Sequence, residues 1–108
     1  MLRLDLSETK LTDAGLVHLK EMTKLENLNL TGDNITDAGL AHIAKLTTVT
    51  GLSLGSTKVS DAGLIHLKGM SRLTKLNLTK TAVTDEGLAN ARKFLPSWIA
   101  IQREPLPK

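Results

Sequence analysis

Leucines alternate with polar residues at Leu4 and Leu6, Leu28 and Leu30, Leu52 and Leu54, and Leu76 and Leu78. A period of two is the mark of a strand with one buried face. Five residues after each second leucine stands another apolar side chain: Leu11, Ile35, Val59 and Val83. The spacing then changes to three, in Leu16, Leu19 and Met22; Leu40, Ile43 and Leu46; Leu64, Leu67 and Met70; and Leu88, Ala91 and Phe94. Each of these runs predicts a short amphipathic helix of about ten residues. The whole pattern returns every 24 residues without insertion or deletion. A fixed period of roughly 20 to 50 residues implies stacked supersecondary units, each unable to bury its apolar face alone.

Every helix is announced in the same way. Thr12, Thr36, Ser60 and Thr84 stand where an N-cap hydroxyl accepts an orphan backbone N–H. Asp13, Asp37, Asp61 and Asp85 follow in the first turn, where the helix dipole favours negative charge. Gly15, Gly39, Gly63 and Gly87 recur two residues later. Glycine costs about 1 kcal/mol against alanine in a helix. Its return in every unit predicts either an irregular helix start or a neighbouring backbone too close for a Cβ. Strands about 4.8 Å apart inside and helices about 8–10 Å apart outside predict an arc with a parallel sheet on its concave side. Leu54 is expected to meet Leu30 and Leu78, one unit away on either side.

The segments Leu25-x-x-Leu28-x-Leu30-x-x-Asp33-x-Ile35 and Leu73-x-x-Leu76-x-Leu78-x-x-Thr81-x-Val83 resemble the leucine-rich repeat signature. The Thr-Asp-x-Gly-Leu continuation resembles the cysteine-containing subclass of F-box-type and many bacterial repeat proteins. The chain departs from that subclass at the cysteine position, which holds Thr9, Asp33, Thr57 and Thr81. A threonine there is expected to be buried, with its hydroxyl bonded to the backbone of an adjacent layer. The resemblance covers about residues 1 to 95. It implies an α/β leucine-rich repeat solenoid, a right-handed α/β superhelix, with repeats at 1–24, 25–48, 49–72 and 73–96. Residues 97–108 are expected to form a C-terminal cap and tail of the same domain, 1–108. Such repeats host many unrelated tasks, so the resemblance speaks to fold more than to function.

Composition narrows the chemistry. Aromatic residues make up 2% of the 108 residues, Phe94 and Trp98 alone, so the core is aliphatic. The chain has no cysteine, hence no disulfide and no thiolate ligand or nucleophile. The net charge of +3 is mixed in sign and is not by itself a nucleic-acid signature. No apolar run approaches the roughly 20 residues of a membrane span, and no signal peptide precedes the first strand. The compartment stays open, with the cytoplasm favoured.

The two ends read differently. Pro96 ends the last helix, and Trp98-Ile99-Ala100-Ile101 reads as a final edge strand. With Ile99 and Ile101 facing inward, its register falls one residue short of the repeat. At the other end Met1, Leu2, Leu4 and Leu6 form a full unit with no blunting device. The expectation is a piece of a longer protein or an edge covered by another chain, most simply a homodimer.

The strand positions between the leucines supply the candidate partner-binding face: Asp5, Asn27, Asn29, Thr31, Ser53, Lys75, Asn77 and Thr79, with Ser7, Gly55, Arg3 and Gly51 beside them. This wall is small, polar and nearly neutral. It reads as a hydrogen-bonding surface for a protein or peptide, or as a solvated face whose Asn and Thr residues bond one another. The lack of aromatic rings argues against a sugar ligand. His18, His42 and His66 share one helical position. Backbones about 8–10 Å apart place three imidazoles poorly for one metal ion. The recurring aspartates read as scaffold, because a catalytic centre needs unlike groups converging at one place. No serine lies in a nucleophile elbow and no phosphate-binding loop occurs. Lys20, Lys45, Lys68, Arg72, Arg92 and Lys93 read as a solvated outer face rather than a nucleic-acid stripe. The sequence thus predicts a non-enzymatic interaction module without cofactor or metal, binding on its concave face. The alternative is an assembly module that oligomerises through its N-terminal edge.

Overall fold

The computed structural model describes residues 2–19, 21–95 and 100–102. Five short parallel strands stand in sequence order: β1 (Leu2–Asp5), β2 (Leu25–Asn29), β3 (Gly51–Ser53), β4 (Lys75–Asn77) and β5 (Ala100–Gln102). The leucine columns pair in register, Leu4 with Leu28, Leu28 with Leu52 and Leu52 with Leu76. The helical layer holds α1 (Asp13–Leu16), α2 (Asp37–Ile43) and α3 (Asp85–Ala91), with a 3₁₀ helix at Asp61–Gly69 in the third repeat. α1 tightens into a 3₁₀ turn at Val17–Leu19. Between the layers lies one aliphatic core, with Leu30, Leu54 and Leu78 buried in adjacent repeats.

Backbone hydrogen bonds continue beyond the strands into the turns. Leu6, Leu30 and Leu54 each donate to the next repeat, at Asn29, Ser53 and Asn77. Glu8, Gly32 and Ser56 do likewise, to Thr31, Gly55 and Thr79. Glu8, Ser56 and Lys80 adopt φ of 55°, 55° and 58°, and Gly32 one of 79°. One turn position is therefore left-handed in every repeat, and only the second marks it with glycine.

The helices are shorter than the expected ten residues. The reason is in the spacing itself. Apolar residues three apart, such as Leu64, Leu67 and Met70, fit the 3.0 residues per turn of a 3₁₀ helix as well as they fit an α-helix. The third repeat adopts that winding throughout.

The recurring aspartates turn out to join the layers. Asp13 accepts the backbone N–H of Thr36 at 2.8 Å and the Thr36 hydroxyl through its other oxygen. Asp37 does the same to Ser60, at 2.7 and 2.5 Å, and Asp61 to Thr84, at 2.7 and 2.5 Å. Each carboxylate thus reaches one layer forward to a helix start. The expected cap hydroxyls are partly diverted to this task. Thr36 and Thr84 still accept from Ala38 and Gly87, but Thr12 and Ser60 make no side-chain cap bond. The clamp also accounts for three of the four recurring glycines; at Gly15 a Cβ would meet the Leu11 side chain of its own repeat. A Cβ on Gly39, Gly63 or Gly87 would run into the carboxylate of Asp13, Asp37 or Asp61. What crowds the glycine is a side chain of the preceding repeat, and not a neighbouring backbone.

The end strand departs from expectation. Ile101 pairs with Leu76, so it fills the column of the first leucine and sits one residue late rather than one residue short. The return after α3 takes one more residue than in the other repeats. Trp98 and Ile99 lie outside the described residues.

Candidate functional site

The threonines at the subclass position stitch their own turns. Thr9 donates to Leu6 O at 2.7 Å, Thr57 to Leu54 O at 2.6 Å and Thr81 to Leu78 O at 2.7 Å. Thr57 is buried, as expected, but its partner belongs to its own repeat, three residues back, and not to an adjacent layer. Asp33 breaks the pattern. It is 2% exposed, and its Oδ1 accepts the Thr9 N–H at 2.9 Å while Oδ2 is buried with no hydrogen-bond partner. Asp33 donates no side-chain hydrogen bond to Leu30 O, the bond that Thr57 and Thr81 make in their own turns. Asp33→Thr supplies that donor and removes a buried unsatisfied oxygen. It is expected to stabilise by about 1 kcal/mol, the loss of the Thr9 bond included. Urea melts of the two proteins check this; a lower midpoint for the threonine variant overturns it.

The concave face carries a groove of ≈ 720 Å³ that crosses all five strands. Two side-chain rows cross it, in register from strand to strand. One is Arg3, Asn27, Gly51, Lys75 and Ala100; the other is Asp5, Asn29, Ser53, Asn77 and Gln102. Of the residues expected here, Asp5, Asn27, Asn29, Ser53, Lys75 and Asn77 line the groove. Thr31 and Thr79 do not; they stand further along, where the strands pass into the turns. Ala100, Ile101 and Gln102 join the lining; the sequence placed Ala100 and Ile101 on a final strand, but the pairing of Ile101 with Leu76 is what sets Gln102 on this wall. Among the described residues no aromatic side chain lines the groove.

The acceptors on this face are largely spent. Asn29 Oδ1 accepts the N–H and hydroxyl of Thr31, at 3.0 and 2.7 Å, and Asn77 Oδ1 accepts the Thr79 N–H at 2.9 Å. Asp5 Oδ1 accepts the N–H and hydroxyl of Ser7 at 2.9 and 2.6 Å. The hydroxyl bond first, then the N–H bond, hold the Asp5 carboxyl below the usual carboxylate range. These contacts between residue i and i+2 are Asx turns at the strand exits. On this face the hydroxyls of Thr31 and Ser53 bond across layers at 2.7 Å. With each amide oxygen fixed by an N–H, the Nδ2 groups of Asn29 and Asn77 are left as donors toward the groove. A Cβ on Gly51 would meet Asn27 Oδ1, so the glycine makes room for that amide.

The other candidate features are more diffuse. His18 is exposed, His42 and His66 are half-buried, and no group of three or more His, Cys, Asp or Glu among the described residues is placed to hold a metal ion. Lys45, Lys68, Arg72, Arg92 and Lys93 are exposed; Lys20 lies outside the described residues. A second hollow of ≈ 650 Å³ follows the return loops past Lys24, Glu26 and Arg72. Two of the threonines in its wall spend their hydroxyls on the backbone, Thr48 on Leu25 O and Thr50 on Glu26 O. Among the described residues no helix is long and apolar enough to cross a membrane.

A stack of strand–turn–helix layers with a polar groove along its inner wall defines a solenoid of the kind that presents extended concave surfaces to other molecules. The Leucine Rich repeat family matches at residues 1–20, 21–44 and 70–90, and the chain belongs to that family. No curated protein sequence matches it. Among solved structures it is similar to internalin C2 of Listeria monocytogenes, with 25% identity and a TM-score of 0.69. The match covers 96% of this chain and 52% of that one, so this chain spans about half the length of the internalin. Leucine-rich repeat proteins generally mediate contacts with other proteins and are typically not enzymes.

Proposed function

We propose that the chain is a non-enzymatic module that binds a peptide or protein segment in its concave groove. The observation that carries this reading is the pair of amide donors, Asn29 and Asn77, in a ≈ 720 Å³ groove where the Oδ1 atoms of Asp5, Asn29 and Asn77 are already engaged. Donors without partners on a concave wall contribute binding and register when a main chain lies across them. The test uses peptides selected from a displayed library against the unmodified protein. Ser53→Arg, at the centre of the groove, is expected to weaken their binding by more than about tenfold, because a filled pocket excludes the ligand. Ile65→Arg, on the 60% exposed helical side, is expected to leave it unchanged. Binding that survives Ser53→Arg overturns the reading. The hydroxyl stitch made by Thr9, Thr57 and Thr81 supports placing the chain in the subclass that usually has cysteine there.

A second reading concerns the N-terminal face. Leu2 is 43% exposed, and Leu4, Leu6 and Leu11 are only partly buried, whereas their counterparts Leu28, Leu30 and Ile35 are covered by the preceding layer. Two copies meeting at β1 would cover these side chains and pair the strand edge; Met1 lies outside the described residues. Light scattering on a size-exclusion column is expected to give twice the chain mass, and Leu4→Lys to return it to the monomer value. A monomer for the unmodified chain overturns the dimer.

A further inference from the structure

We infer that the groove selects extended acidic peptide segments, with carboxylates four residues apart, laid across the strands from Lys75 to Arg3. The inference rests on the proposed concave binding and adds its chemistry. Among the described residues two cations and one anion line the groove: Arg3, Lys75 and Asp5. Arg3 and Lys75 occupy the same row and are both exposed. They lie three strand steps apart, about 14 Å at the usual interstrand spacing. An extended chain advances about 3.3–3.6 Å per residue, so about 14 Å is four residues. An even number also returns both side chains to the same face of the ligand. The three residues between them pass over Asn27 and Gly51, where the wall carries one side chain, the Asn27 amide.

The two ends of this span are unequal. Lys75 is flanked in its row by Gly51 and Ala100, and on its own strand by the Asn77 amide, whose Nδ2 is a second donor for the same carboxylate. Arg3 has Asp5 two residues along its strand, on the same face. The Asp5 charge offsets part of the attraction of Arg3 for an acid. Lys75 is therefore the primary anchor and Arg3 the weaker one. The ligand's carbonyl oxygens face the Nδ2 groups of Asn29 and Asn77.

The experiment is selection of a displayed random twelve-residue library on the full chain, with counter-selection on Ser53→Arg. Expected are sequences enriched in Asp or Glu at positions i and i+4. Their binding, read by fluorescence anisotropy with the selected peptide carrying a fluorescein label, is expected to weaken as salt rises. Lys75→Glu is expected to lower affinity about tenfold and Arg3→Glu less, as loss and reversal of a partly exposed charge contact would do. A peptide with lysine at both acidic positions is expected to bind Lys75→Glu better than the unmodified protein. Both substitutions are at exposed sites, and circular dichroism confirms that the fold is kept. Groove-dependent peptides without acidic enrichment overturn this inference and leave concave binding standing. Peptides indifferent to Ser53→Arg, or no binders at all, overturn both.

Discussion

Leu54→Ala is expected to lower the free energy of unfolding by about 2–5 kcal/mol, the range for truncating a fully buried leucine. Leu54 is 0% exposed and stands in the central layers, with Leu30 and Leu78 buried in the repeats on either side. Its N–H is fixed to Asn77 O at 2.8 Å, and its carbonyl takes the Thr57 hydroxyl. The backbone is thus held from both directions and cannot close over the space left behind. The lost transfer energy of the side chain adds to the cost of that cavity. Because layers stabilise their neighbours, the loss is expected to appear as one cooperative transition at lower denaturant. Leu2→Ala, at a 43% exposed site, provides the contrast and is expected to cost far less. A Leu54→Ala loss under about 1 kcal/mol would show that the central layers relax, against the range for a rigid core.

Gly63→Ala is expected to destabilise by about 3 kcal/mol, opposite in sign to what helix propensity predicts. Propensity alone favours alanine by about 1 kcal/mol. The added methyl, however, falls on the Asp37 carboxylate and lies 2.8 Å from Leu40 Cδ1. To admit it, Asp37 has to leave the N–H and hydroxyl of Ser60. Overpacking costs about 1–3 kcal/mol, and hydrogen bonds to a charged group contribute about 1.5–3 kcal/mol. The two act through one carboxylate, so they do not simply add. A double-mutant cycle with Asp37→Ala separates them. With the carboxylate gone, Gly63→Ala is expected to be nearly neutral or stabilising. A stabilising Gly63→Ala in the unmodified background would remove the clamp as the reason for the glycine.

The concave site was legible to the extent that it follows from strand alternation. Polar residues between buried leucines have nowhere else to point, so Asn29, Ser53 and Asn77 could be placed on one wall from the pattern alone. What the pattern did not carry was which atoms of that wall remain available. Asn29 and Asn77 turn their oxygens to Thr31 and Thr79 because the chain bends at those residues, and the bend is a backbone fact. Gln102 entered the groove because β5 pairs one residue later than the 24-residue period, which sets it beside Asn77.

By itself, the sequence determined the stack: a 24-residue period, a leucine column per inward position, a parallel sheet inside and helical turns outside. These follow from periodicity, which is a property of the chain taken in order. Only the tertiary structure decided the links between layers. The reach of Asp37 to Ser60 and the crowding of Gly63 join residues 23 and 26 positions apart, and they exist only after the layers have stacked. The choice between 3₁₀ and α winding belongs there too. A spacing of three suits both windings, so the pattern did not distinguish the 3₁₀ turn of the third repeat from the α-helices of the second and fourth.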